Sequence, residues 1–100
     1  MTTITFKRSG GFIGKGMRFE LKLEELPRDR AQALVRLIEQ SEFFKLPENL
    51  IVRFNPDEYQ YTITVDMGVI YHTVRANDTT LPASLRPLVE ELSSLQTFER

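Results

Sequence analysis

Residues 59 to 65 alternate without a break. Tyr59, Tyr61, Ile63 and Val65 fall on one side of an extended chain, and Gln60, Thr62 and Thr64 on the other. Side chains of a strand point to opposite faces with period two, so this segment buries one face. A chain that contains it must build a sheet and cover one side of it. The same period recurs elsewhere. Ile4 and Phe6 oppose Thr5 and Lys7 over residues 2 to 8. Met17, Phe19, Leu21 and Leu23 oppose Arg18, Glu20 and Lys22 over residues 17 to 23. Residues 69 to 75 form the return strand after an Asp66-Met67-Gly68 turn. With Met67 and Gly68 as a two-residue loop, Val65 would face Ile70, Ile63 would face His72, and Tyr61 would face Val74.

Two segments change period. After Leu26-Pro27, Ala31, Leu34, Val35 and Ile38 have the i, i+3, i+4, i+7 spacing of a buried helical stripe. Proline suits that first turn, because its missing N–H has no helical partner there. This helix is predicted to fade near Ser41, with Phe43, Phe44 and Leu46 tucking its end into the core before Pro47. After Thr80-Leu81-Pro82, Leu85, Leu88, Val89, Leu92 and Leu95 form a second stripe. Between them, residues 47 to 58 read as an irregular linker with a turn at Asn55-Pro56-Asp57, where Asp57 is the expected cap. Its Leu50, Ile51, Val52 and Phe54 are unusually apolar for a loop, so a short strand or packing over the core is expected of them. The order is strand, strand, helix, strand, strand, helix. The predicted class is α+β: a four-stranded, mainly antiparallel sheet with two helices on one face. Both helices follow a hairpin and start at Leu-Pro, which hints at a twofold plan.

One hundred residues suit one domain, here 1–100. With no cysteine there is no disulfide, no thiolate metal site and no thiol nucleophile. The first residues lack the apolar run of a secretion signal, and no stretch nears the roughly 20 apolar residues that span a bilayer. A cytoplasmic protein is the expectation. A net charge of −1 argues against general nucleic-acid binding. Yet residues 1 to 22 carry Lys7, Arg8, Lys15, Arg18 and Lys22 against Glu20 alone, so that end can meet an acidic partner surface.

The residues that could carry chemistry form no catalytic set. Ser9-Gly10-Gly11-Phe12-Ile13-Gly14-Lys15-Gly16 holds four of the five glycines. As a phosphate loop it has Gly10 one residue too close to Gly-Lys, Gly16 in place of Ser/Thr, and a strand where a helix should follow. It reads as a flexible hairpin connection or as a recognition loop. Phe12 and Ile13 are large apolar groups on a glycine-rich tip, which water penalises unless they fold back or meet a partner. His72, the only histidine, falls on the apolar face of its strand and reads as a half-buried structural residue. The adjacent carboxylates Glu24 and Glu25, Asp57 and Glu58, and Glu90 and Glu91 point apart and make no acid/base pair. Tyr59 and Tyr61 lie on the core face, which disfavours base stacking. An enzyme built on Lys15, Asp57 and His72 would need those three in one cleft. No catalytic residue, metal site or cofactor is expected, and no membrane or nucleic-acid partner.

Four segments together resemble one family. Arg8-Ser9-Gly10-Gly11-Phe12-Ile13-Gly14 is similar to the RSGGFxG opening of emfourin-like proteins. Phe43-Phe44-Lys45-Leu46-Pro47 resembles their FFxLP. Asp57 to Val65 resembles their DxFxYxxxV strand, with Tyr59 where Phe is commoner, and His72-Thr73-Val74 their HTV return strand. Order and spacing agree from Ile4 to about Leu92. Emfourin inhibits protealysin, a thermolysin-like zinc metallopeptidase, so the resemblance implies a competitive inhibitor of such an enzyme, monomeric when free. The segment implied to touch the protease is Ser9, Gly10, Gly11, Phe12, Ile13 and Gly14, within the loop 9–16. The other reading is a non-catalytic interaction module with an unrelated protein partner.

Overall fold

The computed structural model describes residues 2–11 and 16–98, with side chains as far as Leu95. Strands β1 (Thr3–Gly10) and β2 (Met17–Lys22) form the first hairpin, and helix α1 (Arg28–Gln40) follows. Strands β3 (Tyr59–Asp66) and β4 (Tyr71–Asn77) form the second, followed by α2 (Arg86–Phe98). The sheet order is β2-β1-β3-β4, with every neighbouring pair antiparallel. Each hairpin therefore places its first strand inside and its second at the edge.

The alternation decides which side is covered. Ile4, Phe6, Leu21, Tyr61, Ile63, Val65, Val74 and Ala76 are buried in one cluster with Leu34 and Ile38 of α1 and Leu88, Val89, Leu92 and Leu95 of α2. Both helices thus pack on one face, as predicted. Phe6 stacks near Phe19 and Tyr61, with centroids 5.6 and 6.3 Å away. No helix among the described residues is long and apolar enough to cross a membrane.

Four details differ from the sequence reading. First, β1 runs two residues further than expected, because it pairs with β3 along its whole length, ending at Gly10↔Tyr59. Ser9 and Gly10 therefore belong to the sheet and not to the loop. Second, the β3–β4 connection has four residues, not two: Asp66 pairs with Tyr71, Val65 with His72 and Ile63 with Val74. Met67 N–H donates to the Ile70 carbonyl, and Gly68 N–H to Asp66 Oδ1, which closes the wider turn. The slip is two residues, so every side chain keeps its face. Third, α2 begins at Arg86; Leu81 to Leu85 form the approach, with Leu85 and Arg86 N–H both donating to the Pro82 carbonyl. Fourth, the turn before β3 is capped by Asn55, whose Oδ1 accepts from Asp57 N–H; Asp57 itself is exposed.

Candidate functional site

The four motif segments come together in two pairs, one at each end of the β3–β4 hairpin. At the turn end, FFKLP meets HTV. His72 Nε2 lies 2.7 Å from the Leu46 carbonyl, so it carries the proton and donates. Its ring meets the edge of Phe43 at 5.7 Å and Phe44 at 6.3 Å. This is a structural histidine that holds down the segment after α1. Phe43 is fully buried, and Phe44 and Leu46 are half-buried against the core.

At the opposite end, the Arg8–Gly11 segment meets Asp57–Val65. Three stretches of chain converge there: the end of β1, residues 53 to 59, and residues 77 to 80. Gly11 N–H donates to the carbonyls of both Pro56 and Glu58, at 3.1 and 3.2 Å. Gly10 and Gly11 have φ of +83° and +81°, a region that side-chain-bearing residues rarely adopt. A Cβ on Gly10 would sit 2.5 Å from the Glu58 carbonyl oxygen, and one on Gly11 2.7 Å from the Tyr59 ring. Both glycines are required by close approach as well as by φ. The Arg8 guanidinium carbon lies 4.5 Å from the centroid of the same Tyr59 ring.

Carboxylates lock the outer layer. Asp78 accepts from Tyr59 N–H at 2.9 Å and from the Tyr61 hydroxyl at 2.7 Å, and its own N–H donates to the Tyr59 carbonyl. Glu58 accepts from Thr79 N–H at 2.8 Å and from Asn55 Nδ2. Buried Asn77 donates to the Arg53 carbonyl and accepts from Thr80 N–H and Oγ1. Burial, then the hydrogen bond and charge of Asp78, push the Tyr61 hydroxyl far above the ordinary tyrosine range. It stays protonated, as a donor to Asp78 must.

Of the six residues expected to touch a partner, Ser9, Gly10 and Gly11 are fixed at this root. Ser9 is half-buried opposite Gln60. Phe12, Ile13 and Gly14 lie outside the described residues, as does Lys15. Asp57 lies before the start of β3, whereas His72 pairs with Val65 near its far end, so these two do not share a cleft. Among the described residues no group of three His, Cys, Asp or Glu side chains is placed to hold a metal ion.

Asp78 is the hub of the root, and sequence reasoning missed it. An Asn-Asp-Thr-Thr run is a turn signal that pointed there, because short polar side chains bond nearby backbone. The exposed apolar groups were also missed: Val52, Phe54, Val69 and Tyr71 are all more than half exposed. Leu50 instead packs on the core, and Asn49 bridges to Arg75 in parallel.

No match is found among curated proteins or among solved structures. The family model described as Emfourin matches residues 6–93, which takes in all four motif segments and both the Tyr59 and the His72 clusters. The chain belongs to the Emfourin family, a family of metallopeptidase inhibitors.

Proposed function

We propose that this chain, as one domain over residues 1–100, is a competitive inhibitor of a thermolysin-like zinc metallopeptidase of the protealysin type. The inhibiting segment is residues 9–16, with Ser9 and Gly10 at the end of β1 and Gly11 beside them as its rigid root, and Phe12, Ile13 and Gly14 entering the cleft. The free protein acts as a monomer, and the compartment is the cytoplasm. Lacking cysteine, the chain depends on no disulfide there.

The observation that carries this reading is the clamp on Gly10 and Gly11. Thermolysin-like enzymes take a bulky apolar side chain just after the cleaved bond. Phe12 or Ile13 supplies one, and a neighbouring backbone carbonyl is the group to approach the zinc. An inhibitor must also resist hydrolysis. A segment whose end is held by two hydrogen bonds, an aromatic ring and a backbone wall loses little entropy on binding. It also resists the distortion that cleavage requires.

The test is a titration of wild type against thermolysin and a protealysin-type peptidase, with residual activity read against inhibitor concentration. Stoichiometric loss of activity is expected. The double variant F12A/I13A is expected to abolish inhibition while leaving the thermal unfolding midpoint unchanged. Full inhibition by that variant removes the loop from the mechanism.

A further inference from the structure

The helices cover one face of the sheet, and the pairing register orders the side chains of the other. One cross-strand row on that open face reads Arg18, Lys7, Thr62, Arg75, from β2 through β1 and β3 to β4. Its three cations are all exposed. Strands lie about 4.8 Å apart, so the row spans about 14 Å. The neighbouring row, Glu20, Thr5, Thr64, Thr73, contains one carboxylate, and the next, Lys22, Thr3, Asp66, Tyr71, contains one cation and one carboxylate. The three rows thus carry four cations against two carboxylates, with exposed Glu48 beside Thr73 and Arg75 at the β4 edge; in a chain of net charge −1, the residues outside the rows sum to −3.

Two features make the row more than solvated charge. Lys7 and Arg18 are direct cross-strand partners, an arrangement that weakens a sheet through like-charge repulsion. Among the described residues, Lys7, Arg18, Lys22 and Arg75 have no ion pair. The row also lies just below the loop root. Lys7 is three residues from Gly10 along β1, about 10 Å at 3.3 Å per residue.

We propose that this open face is a second contact surface, which meets a carboxylate-rich protein surface beside the cleft that the loop enters. The proposal rests on the inhibitor reading. The basic row steers the two proteins together and sets the sheet's orientation before the loop docks. Nucleic acid is the poorer fit. Single strands are gripped by stacking on exposed aromatics, and among the described residues the three rows of this face hold only Tyr71, two rows away at its edge. Tyr59 and Tyr61 point to the core side.

The experiment measures association and dissociation rates with the peptidase that the wild type inhibits, from low to high salt. Steering acts on the association rate, so the wild-type rate is expected to fall about tenfold across that range. The variant K7Q/R18Q/R75Q is expected to associate about tenfold more slowly at low salt, with weak salt dependence and little change in dissociation. E20Q, which removes a carboxylate from the same face, is expected to associate faster than wild type. Equal low-salt association rates for all three proteins overturn the proposal and leave the inhibitor reading intact. Wild type that inhibits neither peptidase removes that reading, and this one with it. A labelled single-stranded DNA 12-mer, read by fluorescence anisotropy, supplies the last arm. Tight binding lost in the triple variant, with unchanged peptidase association, assigns the face to nucleic acid and also overturns the proposal.

Discussion

Gly10→Ala is the substitution whose cost the structure specifies most directly. A Cβ at that position would stand 2.5 Å from the Glu58 carbonyl oxygen, below the 3.0 Å that real Cβ atoms keep. The neighbour is backbone, so no side chain can swing away. Relief requires β1 to pull back from residue 58, which breaks the Gly11 N–H bond to the same oxygen. The positive φ adds roughly 1–2 kcal/mol. Overpacking adds about 1–3 kcal/mol, and the lost hydrogen bond about 1 kcal/mol. The total is roughly 3–6 kcal/mol, or a drop of about 15–30 °C in Tm for a domain of this size. Gly68→Ala is the control. Its φ is +92°, and nothing lies within 4 Å of the added Cβ. It is expected to cost only the backbone share, about 1–2 kcal/mol. The stiffening of the unfolded chain by alanine is common to both and cancels. Urea unfolding followed by circular dichroism, with equal m-values as the check on two-state behaviour, gives both numbers. If Gly10→Ala costs no more than Gly68→Ala, the approach of β1 to the Glu58 carbonyl does not govern this end of the sheet.

Other perturbations separate the two ends of the hairpin. Tyr61 ionises far above the ordinary 10.0 in the folded chain and near that value when unfolded. Its contribution is therefore intact below about pH 10 and is lost above it, at up to about 1.4 kcal/mol per pH unit. Urea unfolding between pH 9 and 11.5 is expected to show a shallower alkaline loss for Tyr61→Phe than for wild type; parallel curves would refute the Asp78 link. His72→Ala leaves the Leu46 carbonyl without its donor and should cost about 1–3 kcal/mol in urea unfolding. The same variant is expected to inhibit as well as wild type in the titration.

The sheet and its covered face were legible because burial alone enforces period two. Tyr61, Ile63 and Val65 had to face the core whatever paired with them. Register was not legible for the same reason. Shifting β4 by two residues keeps Val74 and Ala76 inward, so the pattern cannot distinguish a two-residue turn from a four-residue one. The end of β1 was hidden by Gly10 and Gly11. Consecutive glycines read as loop, whereas here they mark where one backbone presses on another, and the pressing partner is about 50 residues away in the chain. Asp78 escaped notice because its contacts with Tyr59 and Tyr61 span 19 and 17 residues. Val52 and Phe54 failed differently: apolar residues in a linker suggested packing, but only Leu50 takes part.

The two motif pairs do different work. The His72 cluster ties the segment after α1 to β4, and a change there should alter stability and leave inhibition alone. The residues Phe12 and Ile13 should do the reverse. Gly10 and Gly11 belong to neither group, because the hydrogen bonds that end the sheet also hold the residue from which the proposed inhibiting segment departs. A destabilised root therefore does two things: it lowers the unfolding midpoint, and it gives the loop more conformations from which binding must select one. Inhibition should then weaken even at temperatures where Gly10→Ala is fully folded. A root variant that is folded, loses stability as expected and still inhibits with wild-type affinity would show that the loop is ordered by its target and not by Glu58 and Tyr59.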